Sequence, residues 1–238
     1  APAGLAPTAA STTPRAPLPG LPLPATPGAT VYQQSCASCH GQQGEGTGRG
    51  PSLVGVGAAS VDFQLSTGRM PPQGNLYQPE HRAPAFSADE IDALVRHVTA
   101  FGGGGPPVPH VGAGDAATGR RLYLATCAAC HSATGFGAAL TNGRIAPPLD
   151  RATPTQVAEA IRVGPGLMPA FPDTVLDDQE VAAIAAYVEV LRPGRGGLDR
   201  GGLSLARVGP VAEGLVAWIV GLALVVLAVR RLGSRARE

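Results

Sequence analysis

The chain has 238 residues, of which 44% are hydrophobic and 15% charged, and its formal net charge is +1 at pH 7. This length is enough for two small domains, and the balanced charge argues against a nucleic-acid partner. Aromatic residues make up only 4% of the chain, so its cores are short of bulky side chains, a gap that a large apolar prosthetic group would fill.

Composition divides the chain into segments. Residues 1–27 are rich in Pro and Ala and lack the apolar surface that would order them, so they are predicted to be a disordered or extended leader. The run Gly-Gly-Gly-Gly-Pro-Pro-Val-Pro over 102–109 is typical of a linker. The predicted order is a leader (1–27), a first domain (28–101), a Gly/Pro linker (102–113), a second domain (114–192), a Gly/Arg-rich linker (193–207), a transmembrane helix (208–229) and an Arg-rich tail (230–238).

The two predicted domains repeat each other. Cys36-Ala-Ser-Cys39-His40 in the first corresponds to Cys127-Ala-Ala-Cys130-His131 in the second. Matches continue in the same order on both sides of this motif, which indicates that one small domain occurs twice. The matching pairs are Gly28 with Gly119, Tyr32 with Tyr123, Pro51 with Pro147, Leu53 with Leu149, Met70 with Met168, and Ser87-x-x-Glu90 with Asp177-x-x-Glu180.

The local patterns are mainly helical, and no convincing alternating strand is found. A short helix is expected to run into each Cys motif. Ser87-x-x-Glu90 and Asp177-x-x-Glu180 have the form of capping boxes, and each precedes apolar residues at helical spacing. Thr153-Pro154 predicts the N-cap and first residue of a further helix that reaches about Val163. The predicted fold class is therefore all-α.

The last predicted element is a membrane-spanning helix. Residues 214–229 contain no charged side chain, and Glu213 is the one charge between 208 and 229. About 20 residues, at ~1.5 Å each, span a bilayer core of ~30 Å. Four Arg residues follow between 230 and 237, so the positive-inside rule predicts a cytoplasmic C-terminus with both domains on the other side. A buried core helix is the alternative interpretation.

The repeated motif carries the chemistry. Cys-x-x-Cys-His is the attachment signature of c-type haem, because residues i, i+3 and i+4 share one helix face. Two thiols can then bond to two vinyl groups of one haem, and the following His coordinates the iron. All four Cys of the chain are used: Cys36, Cys39, Cys127 and Cys130. The alternatives are a dithiol redox motif, which gives no role to the His, and a zinc site, which expects closer Cys pairs.

The sixth iron ligand is predicted to be Met70 in the first domain and Met168 in the second. A Met in an apolar setting is usually core filler, but that interpretation does not explain why the only two Met of the chain precede Pro at the same place in both repeats. With His40 and His131 they give two His/Met sites. Such sites have a raised reduction potential and no open position, which favours electron transfer over oxygen or peroxide chemistry.

Weaker candidates lie near the motifs. Arg49 and Arg144 are placed to pair with a haem propionate, with a solvated loop Arg as the equal alternative. Pro51 and Pro147 are predicted to rigidify the loop beside the proximal His. No sequence pattern indicates a general base, a nucleophile or a phosphate-binding loop. The other histidines are expected to have no role in the chemistry. His81 and His110 are predicted to lie in loops, and His97, which aligns with Tyr187, is predicted to pack between helices.

Each repeat resembles a class I cytochrome c domain, with a Cys-x-x-Cys-His motif after the first helix, a Pro-containing loop, a Met ligand and a last helix that crosses the first. In that family a Gly and an aromatic residue of the first helix pack against an aromatic residue of the last. Five residues match this pattern: Gly28, Tyr32, Gly119, Tyr123 and Tyr187. His97 stands where the pattern has an aromatic residue in the first domain, so it departs from the family. The resemblance implies two tandem class I cytochrome c domains followed by one C-terminal transmembrane helix.

A narrower resemblance covers about 28–230. Three segments are similar to parts of the di-haem cytochrome cc subunit of actinobacterial cytochrome bcc complexes. They are Gly50-Pro-Ser-Leu-Val-Gly-Val-Gly, Phe63-Gln-Leu-Ser-Thr-Gly-Arg-Met70-Pro and Gly209-Pro-Val-Ala-Glu-Gly-Leu-Val-Ala-Trp218-Ile. That family implies two covalent haems c that carry electrons from a Rieske iron–sulfur cluster to a terminal oxidase in a supercomplex. It also implies a cytochrome b partner, menaquinol as donor and a position in the plasma membrane.

Other functions remain open from the sequence. A free-standing membrane-anchored di-haem cytochrome would serve another oxidase or reductase. A di-haem peroxidase or a small dehydrogenase would need an exchangeable iron site and a nearby acid or base. A haem-based sensor would need a signalling domain. Within the leading hypothesis the chain is part of a quinol–cytochrome c reductase and holds no independent catalytic acid, base or nucleophile.

Overall fold

A computed structural model of the chain describes residues 26–73, 78–192 and 210–235. The predicted linker 193–207 and nearly all of the predicted leader lie outside the described residues. The described helices are α1 (Pro27–Ser35), α2 (Ala37–His40), α3 (Ala58–Ser66), α4 (Ala88–Thr99), α5 (Ala116–Thr126), α6 (Ala128–His131), α7 (Pro154–Val163), α8 (Asp178–Leu191) and α9 (Pro210–Arg235). The all-α prediction is confirmed, and α1 begins at Pro27, capped by Thr26, within the last residues of the predicted leader.

In both domains the first and last helices cross at a glycine. A Cβ on Gly28 would lie 2.1 Å from the carbonyl oxygen of Ala93 in α4, and one on Gly119 would lie 1.9 Å from that of Ala183 in α8. No side chain fits at either crossing, so the two helix backbones touch directly. Beside each crossing a fully buried tyrosine, Tyr32 or Tyr123, anchors the helix to the core. The repeat seen in the sequence is therefore a repeat of the helix-packing geometry.

The predicted helix starts are found, with one addition. Ser87 with Glu90 and Asp177 with Glu180 form capping boxes at α4 and α8. Thr153 forms a third box, because the Gln156 side chain bonds back to its backbone N–H while its hydroxyl accepts from the Gln156 N–H. Helix α3 was not predicted from the sequence. It begins at Gly57 with no side-chain cap, so the local start signal is missing.

The second domain contains a small antiparallel hairpin that the sequence did not predict. Strands β1 (Ala138–Ala139) and β2 (Ile145–Ala146) are two residues long, too short to show alternation. The connection between the motif His and the matching Pro spans 16 residues here against 11 in the first domain. The hairpin is where the additional residues fold.

The two domains contact each other through α3 and α7. The side chain of Gln156 donates to the carbonyl and hydroxyl oxygens of Ser66, each at 3.2 Å. One turn along α7, the Glu159 side chain is fully buried and lies in loose contact with the Asp62 carboxyl; neither of its oxygens has a well-formed hydrogen bond. Burial, then Asp62, raises the pKa of Glu159 to about 9. The interface therefore contains a protonated carboxyl at neutral pH.

Helix α9 is separate in character from the rest. Residues Gly214–Gly233 are long and apolar enough to cross a membrane, and none of them is buried in the protein. The helix continues past 229 to Arg235, so part of the predicted Arg-rich tail extends the predicted transmembrane helix. Its large side chains, including Trp218 at 69% exposure, have no protein core to pack against within the described residues.

Candidate haem-attachment sites

Each Cys motif is a single helical turn that follows the first helix of its domain. In the first, the backbone N–H groups of Cys39 and His40 both bond to the Cys36 carbonyl at 3.0 Å. In the second, the corresponding distances to the Cys127 carbonyl are 3.1 and 2.9 Å. This turn places the two thiols of each motif on one face, with the His next to them. All four thiols are free.

A proline carbonyl orients the histidine of each motif. His40 Nδ1 lies 2.8 Å from the Pro51 oxygen, and His131 Nδ1 lies 3.0 Å from the Pro147 oxygen. A carbonyl can only accept, so Nδ1 carries the proton and donates it. The lone pair of Nε2 is then free for a metal, the usual arrangement of a ligating His with its outer hydrogen bond. The same bond occurs in both domains although the intervening loops differ in length.

The thiol environments argue against the dithiol alternative. Burial, then the neighbouring Cys39, raises the pKa of Cys36 to about 11, and burial raises the pKa of Cys127. A reactive dithiol needs a lowered pKa. No group of three His, Cys, Asp or Glu side chains among the described residues is arranged to hold a metal ion, so the zinc alternative gains no site there.

The two methionines lie on the same apolar clusters as the motifs. Met70 packs with Cys36 against the core of the first domain, and Met168 packs with Cys127 against that of the second. Both side chains are partly exposed. In each domain one turn carries two free thiols and an imidazole with a free Nε2, and one of those thiols shares an apolar cluster with a thioether. These groups are the donor set of a covalently attached His/Met haem c. The residues present fit that group in each domain.

The loops that carry the methionines are held by side chains that the sequence did not single out. In the second domain, Arg162 donates to the carbonyl oxygens of Phe171 at 3.0 Å and Leu176 at 2.6 Å, and pairs with Asp178 at 2.5 Å. Its side chain is only 9% exposed. These bonds join α7 to the part of the loop that follows Met168 and to the start of α8. No local motif marks such a residue, because its acceptors are backbone groups far along the chain.

The first domain holds its methionine differently. The Met70 N–H donates to the Gln64 carbonyl at 3.0 Å, and the neighbouring Arg69 guanidinium lies 4.8 Å from the Phe63 ring centroid. Further along the loop, the Arg82 N–H donates to the Thr67 carbonyl at 2.9 Å. The Arg82 guanidinium also donates to the Gln73 carbonyl at 2.8 Å, so this loop has one guanidinium-to-carbonyl bond where Arg162 makes two.

The weaker candidates are placed as follows. Arg49 donates to the Ser38 carbonyl inside the first Cys motif, so it braces the attachment turn. The Arg144 carbonyl accepts the Leu140 N–H at 2.7 Å and closes the hairpin loop. His97 packs against Tyr32, with ring centroids 5.1 Å apart, as predicted. His81 and His110 lie in loops, also as predicted.

Comparison with known proteins matches both repeats. The family model for cytochrome c oxidase, cbb3-type, subunit III fits residues 24–98 and again 114–188. The chain is 36% identical over 230 residues to the cytochrome bc1 complex cytochrome c subunit of Corynebacterium diphtheriae, covering 87% of this chain and 80% of that protein. It is 38% identical over 219 residues to the same subunit of Mycobacterium tuberculosis, covering 87% and 77%.

More distant similarities are also found. The cbb3-type cytochrome c oxidase subunit CcoP of an Azospirillum species is 30% identical over 190 residues, covering 71% of this chain and 62% of that protein. Among solved structures, reduced recombinant cytochrome c4 from Pseudomonas stutzeri matches at 20% identity over 68% of this chain and 95% of that chain, with a TM-score of 0.24.

Proposed function

The chain belongs to the family of the cytochrome c subunits of cytochrome bc1 complexes, and on that premise we propose that it carries two haems c and relays electrons from a Rieske iron–sulfur cluster to a terminal oxidase. The observation that carries this proposal occurs twice in one chain: a turn with two free thiols and a proline-bonded His, whose first Cys lies on the same apolar cluster as a Met. The chain acts as one subunit of a reductase and contributes no acid, base or nucleophile of its own.

The roles of the residues follow from their chemistry. Cys36 and Cys39 attach one haem, and Cys127 and Cys130 the other. His40 and His131 are the proximal ligands, each held by its proline carbonyl, and the two methionines complete the coordination. When bound, the haem iron supplies a one-electron couple. Closed His/Met sites leave no position for oxygen or peroxide, so this ligation favours electron transfer.

Replacement of the methionines tests this ligation. Met70→Ala or Met168→Ala opens one iron site, so each variant should lower one of the two midpoint potentials and let the reduced protein bind carbon monoxide at one haem per chain. The matched control is Leu167→Ala, next to Met168 and 60% exposed. Unchanged midpoints in a methionine variant would reject that Met as ligand, and carbon monoxide binding by the native protein would favour the enzyme classes instead.

The direct contact of the two domains supports a relay within the chain. Helices α3 and α7 are joined by the Gln156–Ser66 hydrogen bonds, so neither domain has to diffuse to the other. In the proposed order, the Rieske protein reduces the haem of the first domain and the haem of the second domain reduces the oxidase.

Helix α9 is proposed to anchor the relay in the plasma membrane. Its apolar span Gly214–Gly233 includes Arg230 and Arg231 near its end, and Arg235 and Arg237 follow it. The positive-inside rule then puts the C-terminus in the cytoplasm and both haem domains outside. A tether raises the effective concentration of a carrier beside its partners. The proposed partners are the cytochrome b subunit, the Rieske subunit, oxidase subunits and membrane lipid.

Co-purification tests the assembly. The full chain would be tagged at its C-terminus and extracted from membranes in a mild detergent, and c-type and b-type haem would be quantified together with the subunit list. We expect haem b, a Rieske protein and oxidase subunits to accompany haem c. Haem c alone, from a preparation that keeps other respiratory complexes intact, would instead indicate a free-standing membrane cytochrome.

A further inference from the structure

The side chain of Gln78 joins the two domains at a second place. Gln78 belongs to the connection from α3 to α4, whose described residues, 67–73 and 78–87, are called the Met70 loop. Its amide oxygen accepts the backbone N–H of Ile145 at 3.2 Å, and its amide nitrogen donates to the Ile145 carbonyl. Ile145 is the first residue of β2 in the second domain. One side chain therefore takes both backbone polar groups of a residue in the other domain.

The position of Ile145 explains why these groups are available. It pairs with Ala139 across the hairpin, while the nearby backbone bond of the ladder runs from Leu140 to Arg144. In an antiparallel ladder, residues alternate between pairs that exchange hydrogen bonds and pairs that do not. The Ile145 groups point away from β1, and Gln78 occupies this outer edge as an added strand residue would.

The chain beyond Ile145 leads directly to the second haem site. Ala146, only 4% exposed, completes β2, and the next residue is Pro147. The Pro147 carbonyl accepts the hydrogen bond of His131 Nδ1 at 3.0 Å. The short segment that ends at the Pro147 carbonyl therefore starts at Ile145, the residue that Gln78 binds.

We infer that Gln78 is a positioning residue for both haem sites: it ties the Met70 loop of the first domain to the strand that presents the Pro147 carbonyl to His131 in the second. This rests on the ligation proposed above. A hydrogen bond from a ligating imidazole to a fixed carbonyl makes the imidazole a stronger donor. A stronger donor stabilises ferric iron, so the contact lowers the midpoint of the second haem.

The same contact acts oppositely on the first haem. The second domain secures its own Met loop through Arg162, whereas the Met70 loop is held both by Arg82 within its own domain and by the Gln78 bond to the neighbouring domain. Loss of the bond frees Met70 to leave the iron, and loss of a Met ligand lowers the midpoint. Removal of Gln78 is therefore expected to move the two midpoints in opposite directions, which a general loosening of the fold does not do.

The test is a redox titration of the full chain in detergent, carrying Gln78→Leu. The midpoint of the second haem should rise by about threefold in the ferric–ferrous equilibrium constant, ~28 mV at ~59 mV per decade for one electron. The midpoint of the first haem should fall, and a fraction of it should bind carbon monoxide when reduced. The Met70→Ala and Met168→Ala variants assign the two midpoints.

The matched control is Gln73→Leu. Gln73 lies in the same loop but accepts from Arg82 within the first domain, so its loss should leave the second midpoint unchanged. Gln78→Asn, whose shorter amide cannot span both Ile145 groups, serves if Gln78→Leu fails to incorporate haem. An unmoved second midpoint in the Gln78 variants, or an equal shift in Gln73→Leu, overturns the inference. Failure of the methionine variants to move any midpoint would overturn the ligation itself, independently of Gln78.

Discussion

The two domains present the same ligand frame but stabilise it by different means. The Cys turn, the His–Pro carbonyl bond and the glycine crossing coincide in both. The loop around Met168 is secured inside its own domain by Arg162, whereas the Met70 loop also bonds to the second domain through Gln78. The shared features are the ones that haem attachment requires. The Gln78 contact is the difference, and it makes the first domain depend on the second.

The largest effect is expected from Arg162→Leu, which removes the internal brace of the second domain. Two backbone carbonyls lose a charged donor, so we expect a loss of about 3 kcal/mol in the unfolding free energy. The Met168 loop should loosen, so the reduced protein should bind carbon monoxide at the second haem and not at the first. Hydrogen exchange resolved by segment, together with carbon monoxide titration, measures both effects.

Arg96→Leu is the control for that experiment. Arg96 pairs with Asp92 on the surface of α4, with side chains 69% and 73% exposed, and such pairs contribute only about 0.3–0.5 kcal/mol. Equal losses from the two Arg replacements would show that Arg162 does not brace the loop.

A second prediction concerns the interface that makes one domain depend on the other. The pKa of Glu159 is raised from 4.5 to about 9 in the folded protein, so its contribution to stability is complete below pH 4.5 and is lost as pH rises toward 9. Glu159→Gln keeps a neutral side chain at every pH. We expect this variant to match the native protein at pH 5 and to be about 2 kcal/mol more stable at pH 8. This is about half of the ~4 kcal/mol that ~1.4 kcal/mol per pH unit gives over three units, because relaxation and water entry at the ionised carboxyl offset part of its burial cost.

The measurement is thermal unfolding of the full chain in detergent from pH 5 to pH 9. Replacement of the exposed Glu80 by Gln provides the control for the loss of a carboxyl outside the interface. A Glu159→Gln variant that is less stable than the native protein at pH 8 would mean that the interface uses the charged carboxylate.

A third prediction exchanges the residues that follow the two motifs. The backbone there has a positive φ in both domains, +86° at Gly41 and 62° at Ser132, and Tyr32 and Tyr123 bond to the carbonyls of these residues at 2.8 and 2.7 Å. A side chain at such φ costs about 1–3 kcal/mol. Gly41→Ser should destabilise the first domain by about 2 kcal/mol, and Ser132→Gly should stabilise the second by about 1 kcal/mol. Hydrogen exchange by segment separates the domains, and opposite signs to these would contradict the strain argument.

The smallest effect is expected on the pH dependence of stability, where the ring pair Tyr32–His97 of the first domain replaces the pair Tyr123–Tyr187 of the second. Burial lowers the pKa of His97, and its Nε2 is buried without a hydrogen bond. The unfolded chain then binds the proton more readily, so the first domain loses stability as pH falls through about 6.5. His97→Tyr copies the Tyr123–Tyr187 pair of the second domain and should remove that acid sensitivity. Exchange measured at pH 5.5 and 7.5 would show it, and equal sensitivity in both proteins would rule out His97 as its source.

Features that depend on residues close together in the chain could be predicted from the amino-acid sequence. The Cys-x-x-Cys-His turns, the two predicted capping boxes and the apolar C-terminal helix follow from i, i+3 and i+4 relations within one segment. The repeat then predicted that both domains share one fold, and the resemblance to class I cytochrome c domains implied the crossings at Gly28 and Gly119. These patterns are local or duplicated, so they can be seen without knowing how the chain packs.

The contacts that brace the two sites and join the domains became visible once the packed chain was known. The acceptors of Arg162 and Gln78 are backbone carbonyls 9 to 67 residues away, and any residue type presents such a carbonyl. The raised pKa of Glu159 depends on burial by a second domain, and α3 forms without a side-chain cap. Backbone acceptors and burial leave no signature in the order of residues, because they exist only once distant segments have come together.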